Sequence, residues 1–304
     1  MSDMNLQSVL TELNQSGVSI AWDEPMQNHT SFRIGGPVGA MLFPAGEDAL
    51  IRAVQQLEQV GCTPLLIGNG SNLLAADGPI DRVVIKTHNG LSGCERIDDC
   101  TIYVSAGTLL SRAAVFAQGL GLTGLEFAHG IPGTLGGALV MNAGAYGGEM
   151  AQVTAEIRYL DESRAPQTGS GGDLAFSYRH SRFSDTDEVI LGAVLTLSLG
   201  DPAVIQGKMD ELAQKRRTSQ PLNLPSAGST FKRPKDGYAA ALIDQAGLKG
   251  FTVGGAQVSE KHAGFVVNRG GATCDDVRRL MAHIQETVLR QSGVALEPEV
   301  QLVL

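Results

Sequence analysis

Between Gly130 and Gly148 the chain reads Gly-Ile-Pro-Gly-Thr-Leu-Gly-Gly-Ala-Leu-Val-Met-Asn-Ala-Gly-Ala-Tyr-Gly-Gly. Glycine loses more backbone freedom on folding than any other residue, so such a run persists only where the backbone must turn sharply or come very close to something. Glycine makes up 38 of the 304 residues, well above the usual share of about 7%. It follows no Gly-X-Y period, which excludes a collagen helix. The glycines fall at about three-residue intervals before a short apolar stretch that reads as a helix. The start of that helix would offer unpaired N–H groups and a positive dipole end to a diphosphate. Close packing of helix against strand accounts for the same spacing.

A second glycine loop, Gly68-Asn-Gly-Ser-Asn72, directly follows an expected buried strand, Pro64–Ile67. Successive glycines can aim several amides into one concavity, an anion nest, and Ser71 and Asn72 add side-chain donors. The loop is neither Gly-x-Gly-x-x-Gly nor a Walker loop with its lysine, and a plain tight turn would look the same. Two nests in one half of a chain favour a dinucleotide with two phosphates.

Around these loops the periodicities alternate. Leu6, Val9, Leu10 and Leu13 form a helical stripe within residues 5–15. Strands are expected at 38–43, 82–86, 101–105, 154–159 and 189–199, and helices at 47–60, near 109–118, from Asp201-Pro202 to about Arg217, and at 275–291. Residues 297–304 read as a closing strand. We therefore expect an N-terminal helical cap over 1–22, a first domain over 23–200 with subdomains of about 23–88 and 89–200, and a second domain over 201–304.

Composition removes several classes of function. Lys plus Arg is 23 against 32 Asp plus Glu, a net charge of -9, which argues against a general nucleic-acid binder. No apolar run reaches the roughly 18 residues of a membrane span, and the N-terminus lacks the apolar core of a signal peptide. The reading is of a cytoplasmic protein, with no membrane partner and a monomer as the default oligomeric state. Cys62, Cys94, Cys100 and Cys274 form no Cys-x-x-Cys pair and read as free thiols. The six histidines show no metal-binding spacing, so no metal is expected, and no Gly-x-Ser-x-Gly elbow is present.

Three further segments carry charge. Phe176-Ser-Tyr178-Arg179-His-Ser-Arg182 mixes cations and aromatics, although a lone arginine is commonly a solvated or ion-paired residue. Residues 215–234 place Lys215, Arg216, Arg217, Lys232 and Arg233 about a Gly228-Ser229 turn. That is a credible place for a phosphorylated substrate, or simply a basic helix end opposing its own dipole. Leu296-Glu-Pro-Glu299 sets two carboxylates about a proline, which in isolation reads as surface charge.

Taken in order, Asn28-His-Thr-Ser-Phe-Arg-Ile-Gly-Gly36, Gly68–Asn72, Gly130–Gly137, Asn142-Ala143-Gly144-Ala-Tyr146, Tyr178-Arg179, Arg216-Arg217 through Gln220-Pro221, Gly228-Ser229-Thr-Phe231 and Pro298-Glu299-Val300 resemble the UDP-N-acetylenolpyruvoylglucosamine reductases, the MurB family of peptidoglycan precursor synthesis. The resemblance spans about residues 20–304. It implies an α+β chain with an FAD-binding fold of the PCMH (vanillyl-alcohol-oxidase) type in two subdomains, then a C-terminal α+β substrate domain whose last strand returns Glu299 to the active site. It implies reduction of the enolpyruvyl ether of UDP-N-acetylglucosamine to UDP-N-acetylmuramate, with FAD as cofactor and NADPH as co-substrate. NADPH and the UDP-sugar substrate would use one cleft beside the flavin in turn.

Carried over motif by motif, the resemblance implies that Gly68, Asn69, Gly70, Ser71, Asn72, Gly130, Ile131, Pro132, Gly133, Thr134, Gly136, Gly137, Asn142, Ala143 and Gly144 hold FAD. It makes Arg179, Ser229 and Glu299 catalytic. Hydride passes from flavin N5 to C3 of the vinyl ether, and Ser229 gives a proton to C2. Arg179 would stabilise the enolate charge, and Glu299 would orient it, in a protonated, donating form if the pocket is dry. Tyr178, Arg216, Gln220, Lys232, Lys261 and Asn268 are candidate substrate contacts. The first loop ends in Asn72 where many relatives in the wider fold carry a flavin-linking histidine, so FAD is expected to be non-covalent. The short spacing from Arg179 to Glu299 matches the family type without a tyrosine-bearing insertion. A PCMH-type oxidase of a sugar or lactone would need no proton-donating serine, and a non-catalytic nucleotide-sugar binder would be expected to lack one of the three catalytic residues.

Overall fold

The stripe of leucines near the N-terminus becomes helix α1 (Asp3–Gln15), with Leu10 and Leu13 fully buried. The computed structural model describes residues 3–88, 90–235 and 237–304. Helix α2 (Glu47–Gln59) begins with Glu47 and Asp48, which oppose the positive end of its dipole. It buries Ala49, Leu50, Ala53, Val54 and Leu57 on one face. It stops at Gly61 (φ +67°), where the Gly61 amide donates to the Glu58 carbonyl and the Cys62 amide to Leu57, a Schellman ending. Strands Val18–Pro25, Pro37–Pro44, Ile80–Lys86 and Leu65–Ile67 form a sheet in that spatial order, and the last two run parallel with Leu66 opposite Ile85.

A second sheet has five antiparallel strands in the order Pro166–Ser170, Thr154–Leu160, Val189–Thr196, Thr101–Ser105, Cys94–Arg96. Its middle strand, Val189–Thr196, is buried along most of its length, as expected of a strand covered on both faces. The expected continuation to Leu199 is interrupted. Leu197 is buried and its amide donates to the Cys100 carbonyl, after which Ser198–Leu199 pairs separately with Leu122–Thr123. Helices α3 (Leu110–Gly119), α4 (Leu135–Val140) and α5 (Pro202–Ser219) follow in order. Helix α6 (Ala239–Gln245) was not anticipated, because its seven residues are too few to show a period.

Helix α7 (Cys274–Ser292) buries Val277, Leu280, Met281, Ile284 and Val288, the predicted stripe. Thr273 and Asp276 close a reciprocal capping box at its start, and Gly293 (φ +74°) ends it. A three-stranded antiparallel sheet, Thr252–Val253, Ala256–Val258 and Val266–Asn268, belongs to the same part of the chain.

The chain divides into two compact units. One comprises residues up to Trp22, Ala40–Asn69 and Arg82–Gln214; the other comprises Asp23–Gly39, Gly70–Asp81 and Lys215–Leu304. Each has its own buried apolar cluster. This division differs from the consecutive domains expected from the sequence, because backbone pairing over long separations assigns two early segments to the second unit. Strand Leu73–Ala75 lies parallel to Gln301–Val303, Ser31 Oγ donates to the Ser226 carbonyl, and Asp77 accepts from the Cys274 and Asp275 amides. The C-terminal strand is also shorter than the expected 297–304. Residues 297–299 instead flank an isolated bridge between Phe231 and Pro298.

Candidate active site

In the first unit Gly68–Asn69, the start of one glycine motif, meets the other; Gly70, Ser71 and Asn72 belong to the second unit. Asn69 Nδ2 donates to the Pro132 carbonyl at 2.6 Å, and a Cβ on Gly68 would overlap Thr134 Oγ1. Gly68 is thus required by the approach of one loop to the other. Gly136 lies tightly against Ala106, and a Cβ on Gly144 would strike the Gly148 carbonyl. Much of the glycine spacing therefore serves packing within the protein, the plainer of the two readings of that spacing. The start of α4 also differs from expectation. The Leu135 and Gly136 amides donate to the Thr108 and Ala106 carbonyls, both at 2.8 Å, so the first helical turn is largely occupied by protein.

What remains available is specific. Gly137 faces nothing closer than Thr134, and His129 Nδ1, beside Gly130, is buried with no hydrogen-bond partner among the described residues. Burying a polar atom without a partner costs free energy, a cost that a bound polar group at this ring nitrogen would relieve. His129 was not singled out in the sequence because nothing around it has a metal or triad spacing. A buried orphan nitrogen beside paired glycine loops fits a polar, phosphate-bearing cofactor such as FAD.

Asn142 is almost fully buried and has φ +40°. Its side chain donates to the Ser177 carbonyl and accepts from the Ala151 amide. These bonds commit its side-chain amide to joining two protein segments. Ser181 Oγ and Ser184 Oγ both donate to the Val140 carbonyl. The segment after α4 thereby anchors a two-residue turn, in which Ser177 and His180 exchange backbone bonds and Tyr178 and Arg179 form the tip.

Arg179 has φ +56°, in the left-handed region that an arginine rarely occupies and that costs on the order of 1 kcal/mol. Its guanidinium lies 4.9 Å from the Tyr178 ring centroid and donates through Nη2 to the Gly144 carbonyl at 3.2 Å. Strain of this sort persists where the surroundings over-determine it and is concentrated at functional positions. Tyr178 is exposed.

In the second unit Gly228 has φ +75° and open space about its Cα, so glycine serves the turn that presents Ser229 to solvent. The next residue, Thr230, is buried and bonded on three sides. Its amide donates to Gly264, its Oγ1 accepts from Val266, and its carbonyl accepts from the Glu299 amide. The Lys232 amide donates to the Glu297 carbonyl. Pro298, which has no N–H, thus occupies the one place between these bonds where none is needed. Ser229 and Glu299 are brought to neighbouring segments that stand 70 residues apart in sequence. His262 Nδ1 accepts from the Gly264 amide, and burial lowers its pKa below the usual histidine value, which favours the neutral, accepting ring.

The expected substrate contacts divide. Lys232 is ion-paired with Glu297, and Lys261 Nζ donates to the Arg217 carbonyl at the end of α5. Arg216 lies in the last turn of α5, and the Gln220 amide donates to its carbonyl. Asn268 turns inward. Its side chain is buried and donates to Phe32 while accepting from Gly270 and Ala272, so it holds loops together. Burial pushes the Cys94 and Cys274 thiols up to about 11, which disfavours the thiolate form at those two positions, and all four cysteines are free. Among the described residues no group of three metal-binding side chains lies together, and no helix is long and apolar enough to cross a membrane.

Comparison with known proteins completes the picture. Residues 38–163 match an FAD-binding domain family, and residues 220–303 match the C-terminal domain of UDP-N-acetylenolpyruvoylglucosamine reductase. The reductase of that name from Caldanaerobacter subterraneus subsp. tengcongensis is 46% identical over 283 residues, covering 92% of each chain. The one from Clostridioides difficile is 44% identical over 296 residues, covering 97% of this chain and 96% of its own. The crystal structure of MurB from Thermus caldophilus superposes with a TM-score of 0.77 at 31% identity, over 94% of this chain and 98% of the other. The mixed α+β architecture is that of an FAD-binding fold joined to a C-terminal domain, and with these matches the chain belongs to the UDP-N-acetylenolpyruvoylglucosamine reductase family.

Proposed function

We propose that the protein is an FAD-dependent oxidoreductase that reduces UDP-N-acetylglucosamine enolpyruvate to UDP-N-acetylmuramate, with NADPH as electron source, in peptidoglycan precursor synthesis. The observation that carries this reading is full-length similarity to reductases of that name, together with Ser229 and Glu299 standing on hydrogen-bonded neighbouring segments. The loops Gly68–Asn69 and Gly130–Gly137, with His129, would hold the cofactor non-covalently. Bound there, FAD would supply hydride chemistry, with NADPH as the electron source and the vinyl carbon C3 as the acceptor.

The chain's own groups manage the charge and the proton. Hydride addition leaves negative charge on C2 and the adjoining carboxylate. The Arg179 guanidinium, fixed by Tyr178 and Gly144, stabilises that charge without having to reorganise. Glu299 orients the enolate, and Ser229 delivers a proton to C2. A serine hydroxyl is a weak acid in water, and it serves here because the carbanion beside it is a strong base. Tyr178, Arg216, Gln220, Lys232 and Lys261 would meet the nucleotide sugar. A reaction that needs NADPH and a UDP-sugar, in a chain whose cysteines are all free thiols, suits the cytoplasm.

The test separates the two half-reactions. Ser229→Ala should keep bound flavin and its bleaching by NADPH, while reoxidation by the enolpyruvyl substrate slows by orders of magnitude. Full turnover in that variant would remove Ser229 from the mechanism. Acid precipitation should leave all the flavin in the supernatant.

A further inference from the structure

The first glycine loop ends in Asn72, and its side chain does something that the nest reading does not account for. Asn72 Nδ2 donates to the Glu299 carbonyl at 3.0 Å, while the Asn72 carbonyl accepts from the Gln301 amide at 2.9 Å. From there Leu73–Ala75 runs parallel to Gln301–Val303, with Leu73 opposite Gln301. The asparagine is thus the first rung of that ladder and clasps the residues on either side of Val300. Glu299 is held from the other side by its own amide, which donates to the Thr230 carbonyl. Its backbone is fixed at both polar groups, one bond from the Ser229 segment and one from Asn72.

The geometry points to Asn72 as a positioning residue for Glu299, acting on the second half-reaction. This rests on the reading of Glu299 as a catalytic carboxylate. Its physical basis is the sensitivity of a preorganised group to its support: a misplacement of about 1 Å can cost on the order of 100-fold in rate. A single amide that bonds a carbonyl and continues a strand ladder can set the Glu299 backbone to within that tolerance. Neither alanine, which has no donor, nor aspartate, which presents an oxygen to the carbonyl, can do so.

Asn72→Ala and the near-isosteric Asn72→Asp are each compared with the parent holoenzyme at saturating FAD. With flavin reduction by NADPH followed separately as the control for cofactor binding, reoxidation by the enolpyruvyl substrate should slow by about 10- to 100-fold. In a Glu299→Ala background the same substitutions should add almost nothing, since coupled residues are non-additive. Hydrogen exchange on the flavin-free chain gives a second readout: the Glu299 and Gln301 amides should lose protection in Asn72→Ala. Two results would overturn the assignment. One is an effect that multiplies unchanged through the Glu299→Ala background; the other is a loss confined to FAD affinity with reoxidation intact. Should one variant fail to fold, the other decides by the same measurements. If Glu299→Ala itself reoxidises at the parent rate, the catalytic reading of Glu299 has failed, and that outcome is distinct from additivity.

Discussion

The two units reach a fixed functional side chain by opposite means. In the first, Arg179 is presented by a two-residue turn whose tip carries the backbone strain itself, at φ +56°. In the second, Ser229 follows a turn whose positive φ falls on Gly228, and Glu299 follows the isolated bridge between Phe231 and Pro298, its amide bonded to the Thr230 carbonyl. Precision there comes from many relaxed bonds between segments far apart in sequence. The first device is local and costs stability, whereas the second is distributed and costs none. A substitution at Arg179 should therefore separate activity from stability, and a substitution at the supports of the second unit should disturb both.

The widest separation is expected at Arg179 itself. Loss of a preorganised charge partner typically costs about 100- to 1000-fold in rate, or about 3–4 kcal/mol of transition-state stabilisation. Arg179→Ala and Arg179→Gly should both lose that much in kcat. They should differ in stability, because glycine accepts a positive φ and alanine does not. By urea denaturation the glycine variant should be more stable than the alanine variant by about 1 kcal/mol. Equal stabilities would mean that the turn relaxes once the arginine is gone, and the strain argument would fall.

Next in size is Gly70, which combines a positive φ of +62° with a direct approach to the backbone. A Cβ there would overlap the His29 carbonyl, and the Ser31 amide donates to the Gly70 carbonyl at 3.1 Å. Gly70→Ala should destabilise the second unit by about 2–3 kcal/mol, from overpacking combined with left-handed strain, visible as a lower urea midpoint. Ser31→Ala, which leaves that backbone bond in place, should cost only about 1 kcal/mol through loss of the Ser226 contact.

The same contrast explains what could be read from the sequence. Long periodic segments such as 47–60 and 275–291 declared themselves, because buried stripes at helical spacing and glycine stops are local signals. The glycine motifs stood out for the same reason, whereas the Tyr178-Arg179 and Gly228-Ser229 pairs drew their expected roles from the family resemblance. Jobs set by distant partners were not. Asn142 and Asn268 look like ligands in sequence, yet their amides satisfy backbone groups of Ser177, Ala151, Phe32, Gly270 and Ala272. The assignment of 23–39 and 70–81 to the C-terminal unit depends on bonds across some 200 residues, such as Ser31 to Ser226 and Asp77 to Cys274. His129 carries no pattern at all and becomes visible only as a buried nitrogen without a partner among the described residues.

The smallest expected effect tests the supports of the second unit through pH. Asp276 accepts from the Gly255 and Thr273 amides and pairs with Arg279. The bond from the Gly255 amide, then that from Thr273, hold its pKa below the usual aspartate value. A carboxylate depressed in the folded state is favoured there over the unfolded chain, where it titrates near 3.9. Its contribution is complete above that value and is lost as pH falls through the lower, folded one. Asp276→Ala should therefore cost about 1–2 kcal/mol near neutral pH, through the lost capping box and amide bonds. The gap to the parent should narrow on acidification below about pH 4. Urea midpoints across that range give the answer, and a gap independent of pH would show that Asp276 supports α7 by shape, not by charge. Because the Gly68–Asn69 and Gly130–Gly137 loops lie in the first unit and Asp276 in the second, flavin reduction by NADPH should be untouched under conditions where the second unit remains folded.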